Sequence, residues 1–428
     1  MSTQSKTLMV ERVLPDSRQI ARLAERSGLF HAQRWFSRER TWINEQQLQV
    51  CRIAAPTFFE QARAEWLRAQ LGQLGWNARL DRAGNVLASF GEEQQDASII
   101  VSAHLDTVFA PNRPEDVYFA PDGRLFGPGT SDNGSGLVAL LALGRVLAET
   151  PQLHKMAASI LLVANVGEEG EGNLSGMRYI CRESAELARV KAFIVLDGPA
   201  TDHITAQALA SRRYEVSFAG PGGHSWNDHG TPNPIHAMAG AISYFVQSAD
   251  GRLTGERRGQ GSYNFGIVEG GASINSIPCT ARAKLDLRSE DPGVLEEWAG
   301  LLTAAVERSL QRENHGARGS RLLAKIKELG SRPGGKLSDQ APLLRTVQAV
   351  DAYLQIRSRI DCASTDANVP LSMGLPAISI GAGGQGGGAH TSQEWYQPDH
   401  REVGLRRILL VLAALTDDSR AEDEAQNG

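Results

Sequence analysis

The chain has 428 residues, a length that fits two or three domains at roughly 100 to 200 residues each. Its 41% hydrophobic and 22% charged residues are the proportions of a globular protein and exclude a disordered or fibrous one. Forty-four Lys and Arg against 49 Asp and Glu leave a formal charge of −5, which gives no electrostatic footprint for nucleic acid or an anionic membrane.

The longest uninterrupted apolar run, 408–415, falls far short of the ~18 residues a membrane span needs. The opening MSTQSKTLMVERV has no apolar stretch after a basic start, so no signal peptide is expected and a cytoplasmic location is. Cys51, Cys181, Cys279 and Cys362 lie far apart without a CxxC, which argues against a disulfide framework or a thiolate zinc site. They are expected to be small buried apolar residues. The acidic segment from Asp417 onward is expected to fray.

Along the chain, Phe59, Ala62, Trp66, Leu67 and Leu74 keep helical spacing, and strands are predicted at 77–80 and 86–90 around a turn at 81–85. Short apolar runs at 98–103, 159–166, 193–196 and 377–380 have the character of strands buried on both faces. Helical patterns such as Leu137, Leu140, Leu141 and Leu147 fall between them, and the alternation predicts an α/β layer on a largely parallel sheet. The segment 211–330 differs. Tyr214, Val216 and Phe218, and again Cys279, Ala281, Ala283, Leu285 and Leu287, alternate with polar neighbours, so these strands have one wet face. With helices around Ile235–Phe245 and Val294–Ala305, the order β-α-β-β-α-β describes a small sheet inserted into the larger domain. The expected division is 1–210 with 331–428 as a discontinuous catalytic domain, and 211–330 as an insertion.

Ligands of open α/β sheets bind beyond the carboxyl ends of the strands. The predicted strands end there at His104-Leu105-Asp106, at Gly167-Glu168-Glu169, at Asp197, and at the glycine loop carrying His390; Asp132 precedes a helix in GPGTSDNGSG. Taken singly, each has an ordinary structural explanation, such as a turn or a helix N-cap. Together, two imidazoles and several carboxylates with no thiolate suit a pair of divalent cations, zinc first, with manganese or cobalt as alternatives. Two such cations need a bridging carboxylate and lower the pKa of a shared water, so one further carboxylate must move protons. At Glu168-Glu169 one side chain can ligate while the other serves as general base. Asp106 is placed to orient the His104 imidazole.

The motifs HLDTV, GPGTSDNGSG, VGEEGEGN, LDG, GGHSW and GGAHTSQEW, in that order, resemble the M20 family of metallopeptidases over nearly the whole chain. The resemblance implies a two-domain fold with an inserted dimerisation lid and a homodimer formed through it. It implies metal ligands at His104, Asp132, Glu169, Asp197 and His390, with Asp132 bridging, Glu168 as base and Asp106 supporting His104. It also implies a cis peptide between Asp132 and Asn133. On the lid, GGHSW places His224 where relatives carry a histidine that reaches the partner's active site, and GGASINSIP and DLR place Asn275 and Arg288 where relatives touch substrate. Arg288 can also be read as one half of a solvated ion pair with Asp286 or Glu290. Small residues at 381–388 would let main chain approach substrate near His390.

That glycine loop also fits GxGxxG, but no helix pattern or βαβ unit follows it, so a dinucleotide site is rejected. GxSxG, GxxxxGK[ST] and HExxH are absent. The expected activity is hydrolysis of short peptides, of di- or tripeptidase or aminopeptidase type. The alternative is deacylation of N-acyl amino acids on the same site. A catalytically silent binding protein is disfavoured because all five ligand positions and Glu168 are intact.

Overall fold

The computed structural model describes residues 16–91, 98–183, 190–252 and 261–417. The opening and closing segments, where a missing signal peptide and a frayed acidic tail were expected, lie almost wholly outside these described residues. Among them no single helix is long and apolar enough to cross a membrane.

Among the described residues the larger sheet has nine strands. Its centre runs Ile160–Asn165, Ile99–His104, Ala192–Leu196 and Ala377–Ile380, with neighbours parallel throughout. Every residue of these four strands is buried, as expected for strands covered on both faces. The margins are antiparallel: Asn77–Leu80 and Val86–Ser89 on one side, His203–Ala208 with Gly335–Lys336 on the other, while Arg359–Ala363 returns parallel to His203–Ala208. The sheet is therefore mixed, with a parallel heart.

Helix Gly134–Glu149 begins where Asn133 Oδ1 accepts from Gly136 N at 3.1 Å, and it is buried along most of its length. A Cβ at Gly136 would collide with the Asn133 side chain and the Leu196 carbonyl, so only glycine lets this helix start against the end of a central strand. Three helices the hydrophobic pattern did not single out, Ser17–Ala24, Ser27–Arg38 and Arg40–Arg52, add Ile20, Phe36, Ile43 and Val50 to the same core. Arg407 and Asp351, both buried, form a two-point ion pair with each contact at 2.7 Å.

A second hydrophobic cluster, distinct from the first, runs from Ala210 to Leu322. Its sheet has the order Gly261–Gly270, Thr280–Ser289, Ala210–Ala219, Leu323–Arg332, all antiparallel. Ala281, Ala283, Leu285 and Leu287 turn inward with Phe245 of helix Pro234–Asp250 and Trp298 of helix Pro292–Asn314. The predicted β-α-β-β-α-β order is present. The cysteines split: Cys51 and Cys181 are buried, Cys362 is half-buried, and Cys279 is exposed, which corrects the expectation of four buried thiols. Cys279 precedes strand Thr280–Ser289 at the end of the small sheet, where alternation no longer forces burial.

Candidate metal centre

Strand Ile99–His104 delivers His104 to the rim of the sheet with its side chain buried. Its Nδ1 lies 2.9 Å from the main-chain carbonyl of Asp106, so Nδ1 carries the proton and Nε2 presents its lone pair to the cleft. Facing Nε2 are Asp132 Oδ1 at 3.0 Å and Asp197 Oδ1 at 3.9 Å. On the other side of Asp132, His390 Nε2 lies 3.1 Å from Oδ2 and 2.8 Å from Glu169 Oε1. The two oxygens of Asp132 thus look to different histidines, each with its own second carboxylate. The ligand atoms of His104, Asp132 and Glu169 all lie within 4.8 Å of one another.

Lone pairs and negative charge converge here from several chain segments, and only cations or protons resolve that. The donor set of imidazole nitrogen and carboxylate oxygen, without sulfur, fits a divalent pair of the zinc, manganese or cobalt kind. Without cations, protons take their place. Burial opposes a charged His104, yet the nearby Asp106 and Asp132 carboxylates hold its pKa well above the usual imidazole value. Hydrogen bonds to Asp132 and Glu169 push His390 up to about 10. Burial raises Asp197 to about 7, with the Asp132 charge adding to it.

The supporting contacts are more specific than the motifs suggested. The Asp106 carboxylate is 3.6 Å from His104 Nδ1 and spends its hydrogen bonds elsewhere. It accepts from the main-chain N–H of Glu168 and of Glu169, each at 2.9 Å, and from Thr57 Oγ1 at 3.0 Å. One acid therefore ties the His104 loop to the two glutamates. Glu394, which sequence reading passed over, holds the Asp132 loop in the same manner. Its Oε1 accepts from Ser131 N and Asp132 N, each at 2.8 Å, and its Oε2 accepts from Gly129 N at 2.7 Å, in a site where Glu394 is buried. The only hint in the sequence was an acid four residues after His390. The Asp132–Asn133 peptide is cis, as the resemblance implied.

Glu168 points into a cleft of about 450 Å³ that Asp132, Glu169, Asp197 and His390 also line. Burial raises its pKa well above the ordinary carboxylate value, although the nearby Arg332 charge opposes this. Arg332 Nη1 donates to Glu168 Oε1 at 2.9 Å and Nη2 to the Glu168 carbonyl at 2.5 Å. Arg332, also missed, comes from the last residue of strand Leu323–Arg332, where the small sheet hands the chain back to the large one. Behind the cleft, Asp366 is buried, accepts from Asn165 Nδ2 at 2.6 Å, and is raised by burial to about 6.

The remaining predicted residues divide. Arg288 lines the cleft and pairs through Nε with Asp286 at 2.7 Å, so the cleft position and the alternative ion pair are both present. Arg213 joins it, bonding Asp286 at 3.2 Å and the Gly170 carbonyl at 2.7 Å. His224 and Asn275 are not among the residues lining this cleft. They stand together on an exposed two-stranded antiparallel ribbon in which Gly223–His224 pairs with Ser276–Ile277, from distant parts of the chain, and Ser225 N donates to the Asn275 carbonyl at 3.0 Å. The glycine loop pairs Gln385–Gly387 with Trp395–Gln397, and Gly386 packs against Ser131 beside the Asp132 loop.

Residues 85–219 match peptidase family M28, and residues 210–314 match the M20-type peptidase dimerisation domain. A succinyl-diaminopimelate desuccinylase of Corynebacterium glutamicum is 28% identical over 289 residues, covering 67% of this chain and 73% of that protein. The uncharacterized protein YqjE of Bacillus subtilis is 24% identical over 354 residues, covering 79% of this chain and 89% of its own. Among solved structures, a tripeptidase of Staphylococcus aureus superposes with a TM-score of 0.70 at 19% identity, over 87% of this chain and 98% of that one. The aminopeptidase PepT of Bacillus cereus gives 0.67 at 18% identity, over 88% and 98%.

Proposed function

We propose that this chain, an M20-family metallopeptidase, is an exopeptidase that hydrolyses short peptides of two or three residues. The observation that carries the reading is the position of Asp132, whose two carboxylate oxygens face His104 and His390 separately. His104 and Asp197 would hold one divalent cation, Glu169 and His390 the other, and Asp132 both, with zinc the first choice. Such a pair, when bound, polarises the scissile carbonyl and acidifies the attacking water.

The protein's own residues do the rest. Arg332 occupies Oε1 of Glu168, which leaves Oε2 to take a proton from the attacking water and return it to the departing nitrogen. Burial favours the protonated carboxyl, as the second half of that transfer requires. Arg288 and Arg213, paired on Asp286, give the lid wall of the cleft a positive character suited to a substrate carboxylate.

We take residues 1–210 with 331–428 as the catalytic domain and 211–330 as a lid that also forms a homodimer. The dimerisation-domain match and the outermost strand Gly261–Gly270, with Ile267 and Val268 exposed, support this. His224 and Asn275 would then serve the partner's cleft. Four free cysteines agree with a cytoplasmic setting.

The second reading is deacylation of N-acyl amino acids, favoured by the desuccinylase relative. A panel of dipeptides, tripeptides with free or blocked amines, and N-acetyl and N-succinyl amino acids, read by product mass on the metal-loaded protein, separates the two. Turnover of free-amine peptides that is lost on blocking supports the peptidase; turnover of acylated substrates alone supports the deacylase.

A further inference from the structure

Two neighbouring segments at the metal centre leave large apolar side chains in solvent. Phe58 is 63% exposed and Phe59 73%, while Val108 is 43% and Phe109 50%. The segments are laced together: Pro56 bridges to Thr107, and Thr107 N donates to the Ala55 carbonyl at 3.0 Å. Val108 lines the same cleft as Asp132, Glu169 and His390. Of these four, Val108 lines the cleft, and the Pro56–Thr107 bridge ties the segment of Phe58 and Phe59 to the segment of Val108 and Phe109.

Phe58 is also held in an unfavourable conformation. Its φ of 75° lies in the left-handed region, which a bulky residue rarely adopts and which Gly or Asn would occupy at less cost. The turn is closed by Phe59 N donating to the Pro56 carbonyl at 2.8 Å. It is anchored by Thr57 Oγ1 on the Asp106 carboxylate at 3.0 Å, the acid that also fixes the main chain of Glu168 and Glu169. A bulky residue in the left-handed region and turned to solvent is thus fastened, through Thr57, to the carboxylate behind the metal centre. Strain kept beside an active site points to use there.

We propose that Phe58, Phe59, Val108 and Phe109 form an apolar subsite that selects substrates with a bulky aliphatic or aromatic side chain, at the cleft that Val108 shares with Arg213 and Arg288. This rests on the hydrolytic reading above. The substrate class is then a short peptide with a carboxylate for the arginines and an apolar side chain for the phenylalanines.

The test is kcat/KM for the metal-loaded full chain on free-amine peptides in which Gly, Ala, Leu or Phe is placed at each position in turn. It is run on wild type, Phe58→Asn and Phe59→Ser, with melting temperature and oligomeric state recorded. The wild type should prefer Leu or Phe over Gly at one position by on the order of tenfold. Both variants should lose that preference while keeping the rate on glycine peptides, and Phe58→Asn should melt no lower than wild type, because Asn tolerates the left-handed backbone. An equal loss on all substrates, an unchanged preference, or a change in oligomeric state with the preference kept would overturn the subsite. If no peptide is cleaved but N-acyl amino acids are, the peptidase reading fails separately, and the same Gly-to-Phe comparison on acylated substrates decides the subsite.

Discussion

Arg332 and Glu168 form a buried two-point contact, Nη1 to Oε1 at 2.9 Å and Nη2 to the Glu168 carbonyl at 2.5 Å. The guanidinium fixes both the side chain and the main chain of the residue assigned as the base, and lysine has no fork with which to do so. Arg332→Lys should therefore lower kcat by on the order of tenfold to a hundredfold with both cations still bound, since small misplacements of a reacting group are that costly. Steady-state kinetics paired with metal content checks this. An unchanged kcat would remove Arg332 from the positioning of Glu168.

Glu394 plays the equivalent part for Asp132. Glu394→Gln keeps the shape but sets an N–H against main-chain donors that now meet a carboxylate. Metal affinity, titrated into chelated protein against a competing indicator, should fall by about tenfold to a hundredfold. Wild-type affinity in this variant would mean that the Asp132 loop holds its place without Glu394.

Chelated protein should lose stability as pH rises from about 6 to 9, the reverse of the metal-loaded form. Burial lifts Asp197 to about 7 and Asp366 to about 6, so the native state keeps protons that the unfolded chain has released, and stability falls as pH rises through those values. His390, raised to about 10 by Asp132 and Glu169, contributes stability in full below the unfolded imidazole value, and that contribution is lost as pH climbs toward 10. Asp132 is held low by its histidines despite burial and acts only in strong acid, outside this window. Melting temperatures at both pH values, with and without chelator, test the sign; a chelated protein that is more stable at the higher pH contradicts it.

His224 stands on an exposed two-stranded ribbon and is not among the residues lining its own chain's cleft. If it serves the partner, Glu168→Gln and His224→Ala chains, each inactive alone, should recover about a quarter of wild-type activity when refolded as an equal mixture, because half the dimers carry one intact composite site. A mixture no more active than its parts would place His224 outside catalysis in the partner subunit.

The sequence made the centre of the fold legible because strands buried on both faces, such as Ile99–His104 and Ile160–Asn165, are short runs that are apolar but for Ser102 and end on a polar residue. The small sheet was legible through the alternation along Thr280–Ser289. The antiparallel margins were not, since direction leaves no trace in hydrophobic period. Arg332 and Glu394 stayed hidden for a different reason. Their partners lie 164 and about 263 positions away, and an arginine or glutamate on a strand end or loop looks like surface until the contact is seen.

Metal stoichiometry, measured by elemental analysis on wild-type, His390→Ala and Asp132→Ala protein, bears most directly on the binuclear centre. Two cations per wild-type chain, one weakened by His390→Ala and both by Asp132→Ala, is the predicted result. A wild-type chain that binds no cation, or an Asp132→Ala chain that still holds two, would contradict it.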